Sequence, residues 1–329
     1  MADPVPFSAF MAHALYDPQR GYYARHIPTV GARGDFSTTA TLSPLLGQAI
    51  ATWLGQESAL QPEIRHIIEI GAGSGVLMAA VKKNLGWWQR RRFQWHLVET
   101  SPVLQQQQRQ LLGSSCLWHT DLREALESCG GKAFLYQNEL LDAFPATLLQ
   151  WHEETWHEVH VTPQGREVWV PLAWEEQRRA LFSALQSWPG RQARQRVELH
   201  ASVHDWLQHW APAWQAGAML MVDYGDVFPA LYHRRPAGTL RAYFRQHRLE
   251  GPDIYLNPGK QDLTADVNFT DWRAWAQKLG WQETGFGTQA EFIRKHVKRI
   301  PSTPEASFIL QQGGAGDAFK YAVHRTGVP

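Results

Sequence analysis

His66-Ile67-Ile68-Glu69-Ile70-Gly71-Ala72-Gly73-Ser74-Gly75 decides the fold. A short apolar, β-prone run enters three alternating glycines, and Val76 to Leu85 continues with helix formers at helical spacing. The stretch therefore reads as strand, tight turn, helix. Outward from it, Phe93 to Thr100 is a second short strand that closes on an acid, Glu99, and Ser101-Pro102 supplies an N-cap and a first-turn proline for a second helix. A third strand from Cys116 ends at Asp121, and a fourth opens near Ala133 and breaks at Pro145. Strands alternating with helices predict a mostly parallel sheet covered on both faces, an α/β fold.

Beyond residue 150 the pattern changes. Trp156 to Val161 and Arg166 to Val170 flank Thr162-Pro163-Gln164-Gly165 and predict a β-hairpin inserted into the α/β order. Val203, Trp206, Leu207 and Trp210 predict an amphipathic helix, and Ala218 to Gly225 a buried fifth strand. Residues 226–263, rich in Pro, Gly and Arg, show no clean period and read as a long functional loop. A helix from Phe269, a strand and short helix between Trp281 and Ile293, and a last strand from Ala318 complete the chain. The expected division is a cap and lid at 1–62, a first core half at 63–150, an insertion at 151–215 and a second core half at 216–329.

A chain of 329 residues with 44% hydrophobic content can bury a substantial core. Lys plus Arg at 32 against Asp plus Glu at 31 leaves +1, so no global field steers it toward nucleic acid or an anionic membrane, and neither is expected as a partner. Cys116 and Cys129 make no disulfide framework, no apolar run has the length of a spanning helix and no leader precedes the first strand, which together predict a cytoplasmic protein. His157 and His160 fall on opposite faces of a strand, and His200 and His204 lack a third ligand, so no metal is expected. Trp87-Trp88-Gln89-Arg90-Arg91-Arg92 reads as a solvated turn or a partner contact. Arg234, Arg235, Arg241, Arg245, His247 and Arg248 read as a solvated loop face.

Glycines let a backbone approach a ligand, and a helix N-terminus offers free N–H groups. A nicotinamide site would place its third small residue at position 76, where this chain has Val76. The spacing Glu69-x-Gly71-x-Gly73-x-Gly75 is instead similar to the first motif of class I methyltransferases, which implies that Gly71, Ala72, Gly73 and Gly75 lie beside S-adenosylmethionine. A tight turn with no ligand is the bland alternative. Glu99 at a strand end can accept ribose hydroxyls, and Asp121 can receive the adenine amino group with Leu122 over the ring. The fourth strand ends in Asn138, Glu139 and Asp142, which are candidates for gripping the methyl acceptor; helix capping by Asn138 or Asp142 is the competing reading. No Pro-Pro-aromatic or Pro-Cys signature of base modification occurs there, and carboxylates suit a cationic acceptor.

Taken together the motifs resemble the MidA-like methyltransferases, a family that includes the mitochondrial complex I assembly factor that methylates an arginine. The resemblance rests on Pro6-Phe7-Ser8, Tyr16-Asp17-Pro18, Gly21-Tyr22-Tyr23, Gly31-x-x-Gly34-Asp35-Phe36-x-Thr38, the glycine motif, Glu99-x-Ser101-Pro102 and Asn138-Glu139-Leu140-Leu141-Asp142. Asp223-Tyr224-Gly225, Gly238-Thr239-Leu240-Arg241 and Asp262 to Phe269 extend it over nearly the whole chain. It departs at Thr39 to Leu42, where relatives carry an acid, and at Asn268, where the usual residue is aspartate. It implies a seven-stranded, mostly parallel class I sheet with an antiparallel last strand, a helical N-terminal cap and a substrate-facing insertion. It also implies cofactor contacts from Asp35, Thr38 and Ser101, with Glu139, Asp142 and Asn138 as catalytic residues. The expected reaction is methylation of a protein substrate, giving S-adenosylhomocysteine. A homo-oligomer, a cofactor-binding scaffold with little catalysis, a small-molecule methyltransferase and, remotely, an NAD-dependent oxidoreductase stay open.

Overall fold

A computed structural model describes residues 3–27, 43–172, 185 and 188–327. Its contacts divide the chain into two units. A parallel-sheet unit takes Pro28–Leu140, Leu207–Tyr224 and Ala276–Pro329, and a hairpin unit takes Met1–Ile27, Leu141–Trp206 and Gly225–Trp275.

The sheet of the first unit runs Gln282–Thr288, Phe319–Thr326, Gly217–Asp226, Phe134–Asn138, His66–Ile70, Gln94–Val98, Leu117–His119. Phe319–Thr326 is antiparallel to both its neighbours, and the pairs from Gly217–Asp226 to Leu117–His119 are parallel. The two-residue strand Val267–Asn268 pairs with the end of Gly217–Asp226, so the sheet has eight strands among the described residues. Side chains alternate across a strand, so one face gathers Ile67, Leu97, Phe134, Tyr136, Leu220 and Val222. That face shares its core with Leu46, Ile50 and Leu54 of the helix Leu45–Leu60 and with Phe292 and Ile293 of the helix Gln289–His296.

The opposite face carries a ladder of imidazoles across three parallel strands. His66 Nδ1 lies 3.0 Å from His96 Nε2, and His96 Nδ1 lies 3.0 Å from His119 Nε2. Burial, then the flanking imidazoles, push His96 down to about 4, so it is neutral at physiological pH.

In the hairpin unit, Val5–Pro6, Thr155–Val161, Thr147–His152 and Arg196–Leu199 form an antiparallel sheet, with Glu167–Pro171 also on Thr155–Val161. The expected hairpin turn is present, with Thr162 N donating to Arg166 O at 2.8 Å. The reading of 226–263 as one long loop is corrected: Arg241–Phe244, His247–Leu249 and Asp262–Thr264 form a three-stranded sheet between short 3₁₀ turns. Polar anchors hold this segment, which is why no hydrophobic period marks it. The buried Glu198 carboxylate accepts from Thr239 N, Thr239 Oγ1 and Leu240 N at 2.9, 2.9 and 3.2 Å, and Arg241 pairs with Asp266 in the interior. Trp87–Arg92, expected as a turn, is a short helix.

Candidate active site

Gly71, Gly73 and Gly75 have φ of +67°, +52° and +80°, a backbone that L side chains rarely adopt, and this explains the alternating spacing. A Cβ on Gly71 would come within 2.6 Å of Leu140 Cδ1, so the glycine also admits the turn that follows the fourth strand. Gly75 is the N-cap of the helix Val76–Asn84.

Glu99 follows the strand Gln94–Val98 and is 7% exposed. Its Oε1 accepts from Ser101 N at 2.9 Å, and its Oε2 from Gly73 N at 3.2 Å and Gln108 Nε2 at 3.4 Å. Burial raises its pKa against those hydrogen bonds, which lower it. The fully buried Gln108 completes the brace: its amide donates to Gly73 O at 2.8 Å and its carbonyl accepts from Trp118 Nε1 at 3.0 Å. Nothing in the Gln105 to Gln108 run distinguishes this residue before its helix face is known.

The other expected cofactor residues take varied places. Glu69, which opens the glycine motif, lies within its strand and is buried; Tyr136 Oη donates to it at 3.0 Å, and burial pushes its carboxyl up to about 8, so it is protonated at neutral pH. Ser101 caps the helix Pro102–Leu112. Asp121 caps Leu122–Ser128 through Oδ1, which accepts from Glu124 N at 3.1 Å, while Oδ2 lies 3.2 Å from His209 Nε2. The Leu122 side chain is buried. Asp35 and Thr38 lie outside the described residues.

At the end of the strand Phe134–Asn138, Asn138 Nδ2 donates to Glu139 Oε1 at 3.1 Å, and the buried Asn138 Oδ1 has no hydrogen-bond partner among the described residues. Glu139 has φ +51°, strained backbone for a residue with a Cβ. The turn is held there by Glu139 N donating to Val222 O at 3.0 Å and Leu140 N to Asp223 Oδ2 at 3.1 Å. Asp223 is fully buried and also accepts from Tyr224 N at 2.9 Å. The sequence marked Asp223 only as part of a resemblance.

The unit boundary falls after Leu140, and Asp142 belongs to the hairpin unit, in the 3₁₀ turn Leu141–Ala143. Its own surroundings there include two tyrosines and a second acid. Tyr16 Oη donates to Ala143 O at 2.9 Å, Tyr23 Oη donates to Asp262 Oδ1 at 2.9 Å, and the two rings stack at 5.6 Å. Burial, followed by the charges of Asp262, Tyr16 and Asp142, raises the Tyr23 phenol well above its ordinary value.

Residues 45–287 match the sequence pattern of a family of S-adenosyl-L-methionine-dependent methyltransferases. The chain belongs to that family. Among curated relatives, the mitochondrial protein arginine methyltransferase NDUFAF7 homolog of Drosophila melanogaster is 27% identical over 298 residues, covering 81% of this chain and 65% of its own length. The NDUFAF7 protein arginine methyltransferase of Xenopus tropicalis is 28% identical, over 88% of this chain and 71% of its own length. The chain thus spans about two-thirds of such relatives. A crystal structure of a methyl transferase superfamily member from Burkholderia thailandensis, bound to S-adenosyl-homocysteine, superposes with a TM-score of 0.86 at 25% identity, over 99% of this chain and 89% of that one. The methyltransferase is a MidA-like one with an α/β class I fold, S-adenosyl-L-methionine is its cofactor, and the oxidoreductase alternative falls away.

Proposed function

We propose that this methyltransferase N-methylates an arginine side chain of a protein, using the turn after its fourth strand to orient the acceptor. The observation that carries the reading is the Asn138–Glu139 pair, a carboxylate on strained backbone beside a buried amide oxygen with no partner among the described residues. The names of the curated relatives support the same acceptor. We also take the sheet as the seven-strand class I arrangement, with Val267–Asn268 as an accessory pair.

The residues fit the cofactor. The three left-handed glycines expose backbone, with a Cβ on Gly71 excluded by Leu140, Glu99 offers its carboxylate to a ribose hydroxyl, and Asn138 Oδ1 can accept from the ammonium of the amino-acid end. Asp121 is assigned to the adenine and Ser101 to fixing Glu99, while Leu122, expected over the ring, is buried in the protein interior. When bound, the cofactor supplies an electrophilic methyl group. A guanidinium is protonated at neutral pH and poorly nucleophilic, so the protein must localise its charge away from the reacting nitrogen. Glu139 does so by accepting N–H bonds from the nitrogens that do not react. The reacting nitrogen gains its bond to carbon as the carbon–sulfur bond breaks, and its proton leaves to solvent.

Incubation with methyl-labelled cofactor and cell lysate, followed by mass-resolved peptide analysis, tests the reading. Label on arginine nitrogen is expected. Label on oxygen or on a small molecule contradicts the acceptor while leaving methyl transfer standing, and cofactor binding without any label replaces catalysis with a scaffold role.

A further inference from the structure

Helices of the parallel-sheet unit run back against its parallel strands, so helix C-termini and strand starts collect at the end of the sheet opposite the glycine turn. Leu60, Leu111, Leu117, Trp87 and Trp88 all fall there and are exposed, Trp88 at 79%. Arg65, Lys82, Lys83, Arg90, Arg91, Arg92 and Arg109 fall at the same end. Contacts join the parts: Arg92 Nη2 donates to Pro62 O, Lys82 Nζ donates to Ser115 Oγ at 2.7 Å, and Ser115 Oγ donates to Leu112 O at 2.9 Å.

No carboxylate lies within ion-pair distance of these cations among the described residues. They rest on rings instead, Lys82 at 5.3 Å over Trp95, Arg91 at 4.5 Å over Trp87 and Arg109 at 4.2 Å over Trp118. Glu57, before the first of these cations, is bound by Arg325 at 2.8 Å, and Glu63 lies two residues from Arg65. Between Arg91–Trp95 and Ser114–Leu117 lies a cavity of about 380 Å³, which brings guanidinium donors and serine hydroxyls to one place.

We propose that this end of the parallel-sheet unit is a peripheral seat for an anionic phospholipid surface. The cavity takes a headgroup phosphate between Arg91, Arg92 and Ser114. The surrounding arginines and lysines face the negative surface, and Trp87, Trp88 and the three leucines enter the interfacial zone, where amphipathic rings and apolar side chains gain most. The leucines decide between partners, since a single-stranded nucleic acid would use the tryptophans for stacking and leave the leucines in water. No described helix is long and apolar enough to cross a membrane. A net charge of +1 hides the feature in the sequence, because only the fold concentrates these cations at one end.

Sedimentation with vesicles of equal parts phosphatidylcholine and phosphatidylglycerol, and with phosphatidylcholine alone, tests the proposal independently of methyl transfer. The intact protein should pellet with the anionic vesicles only, and less at high salt. Trp88→Ala and Arg91→Glu, both exposed positions, should each weaken pelleting by about tenfold. Arg166→Glu, an exposed arginine of the hairpin unit, should leave pelleting unchanged. Failure to pellet with anionic vesicles overturns the proposal, as does equal loss in Arg166→Glu. Capture of a single-stranded oligonucleotide through Trp88 without vesicle binding would replace the lipid by nucleic acid.

Discussion

In the parallel-sheet unit every strand from His66–Ile70 to Leu117–His119 is followed by its helix within a few residues, whereas the hairpin unit draws Val5–Pro6, Thr147–His152 and Arg196–Leu199 from separated stretches of chain. The first unit buries apolar runs that announce themselves by period. The second buries Glu198, Arg241, Asp262 and Asp266, whose partners lie far away in sequence. Local order is legible to a reader of sequence, and long-range polar pairing is not. If that contrast is right, the largest stability effect should come from a charged residue of the hairpin unit. Arg241→Met leaves the buried Asp266 with only the partly exposed Arg235, and should destabilise that unit by about 3–5 kcal/mol in urea unfolding. A loss under about 1 kcal/mol would show that the pair is dispensable and that apolar packing rules both units.

At the catalytic end the contrast is one of chemistry. Glu139→Gln keeps the shape of the turn and the cofactor affinity but should lower kcat roughly a hundredfold, about 2.7 kcal/mol of transition-state stabilisation. Near-normal turnover would remove Glu139 from the mechanism. Gly71→Ala should weaken S-adenosylhomocysteine binding by about 1–3 kcal/mol, because it combines a φ of +67° with a contact 2.6 Å from Leu140. Adding Leu140→Ala should restore only the part owed to the contact, which separates crowding from backbone strain.

The smallest expected effect is a pH dependence confined to the parallel-sheet unit. The folded pKa of His96 is depressed to about 4, below its unfolded value, so the unfolded chain binds the extra proton as pH falls and stability drops between the two values. Thermal unfolding followed across that window should flatten in His96→Leu. Glu69 has the opposite sign: its folded pKa is raised to about 8, so its contribution is present at low pH and is lost as pH rises through that value. Glu69→Gln should remove the loss that runs from the ordinary carboxylate range up to about 8, and an unchanged profile would mean that Glu69 is ionised in the folded protein.

The glycine spacing and Glu99 at its strand end were legible because each follows directly from a local strand–turn–helix pattern, whereas the fourth strand, read as breaking at Pro145, ends at Asn138 and turns at Glu139 on long-range hydrogen bonds. Gln108, Asp223 and the Tyr16, Tyr23 and Asp262 group were not, since their meaning depends on which residues the fold brings opposite them. Asp121 shows the converse. It sits where expected, yet its carboxylate is engaged by Glu124 N and His209, an arrangement no spacing reveals.

Titration calorimetry of the intact protein and of Glu99→Ala with S-adenosylhomocysteine, with NAD as the comparison ligand, tests the central claim most directly. The intact protein should bind S-adenosylhomocysteine and ignore NAD, and Glu99→Ala should cost about 2–4 kcal/mol, because it removes a buried acceptor and releases Gly73 and Ser101 together. Binding of NAD with no response to S-adenosylhomocysteine, or a Glu99→Ala loss of no more than a few tenths of a kcal/mol, would contradict the account.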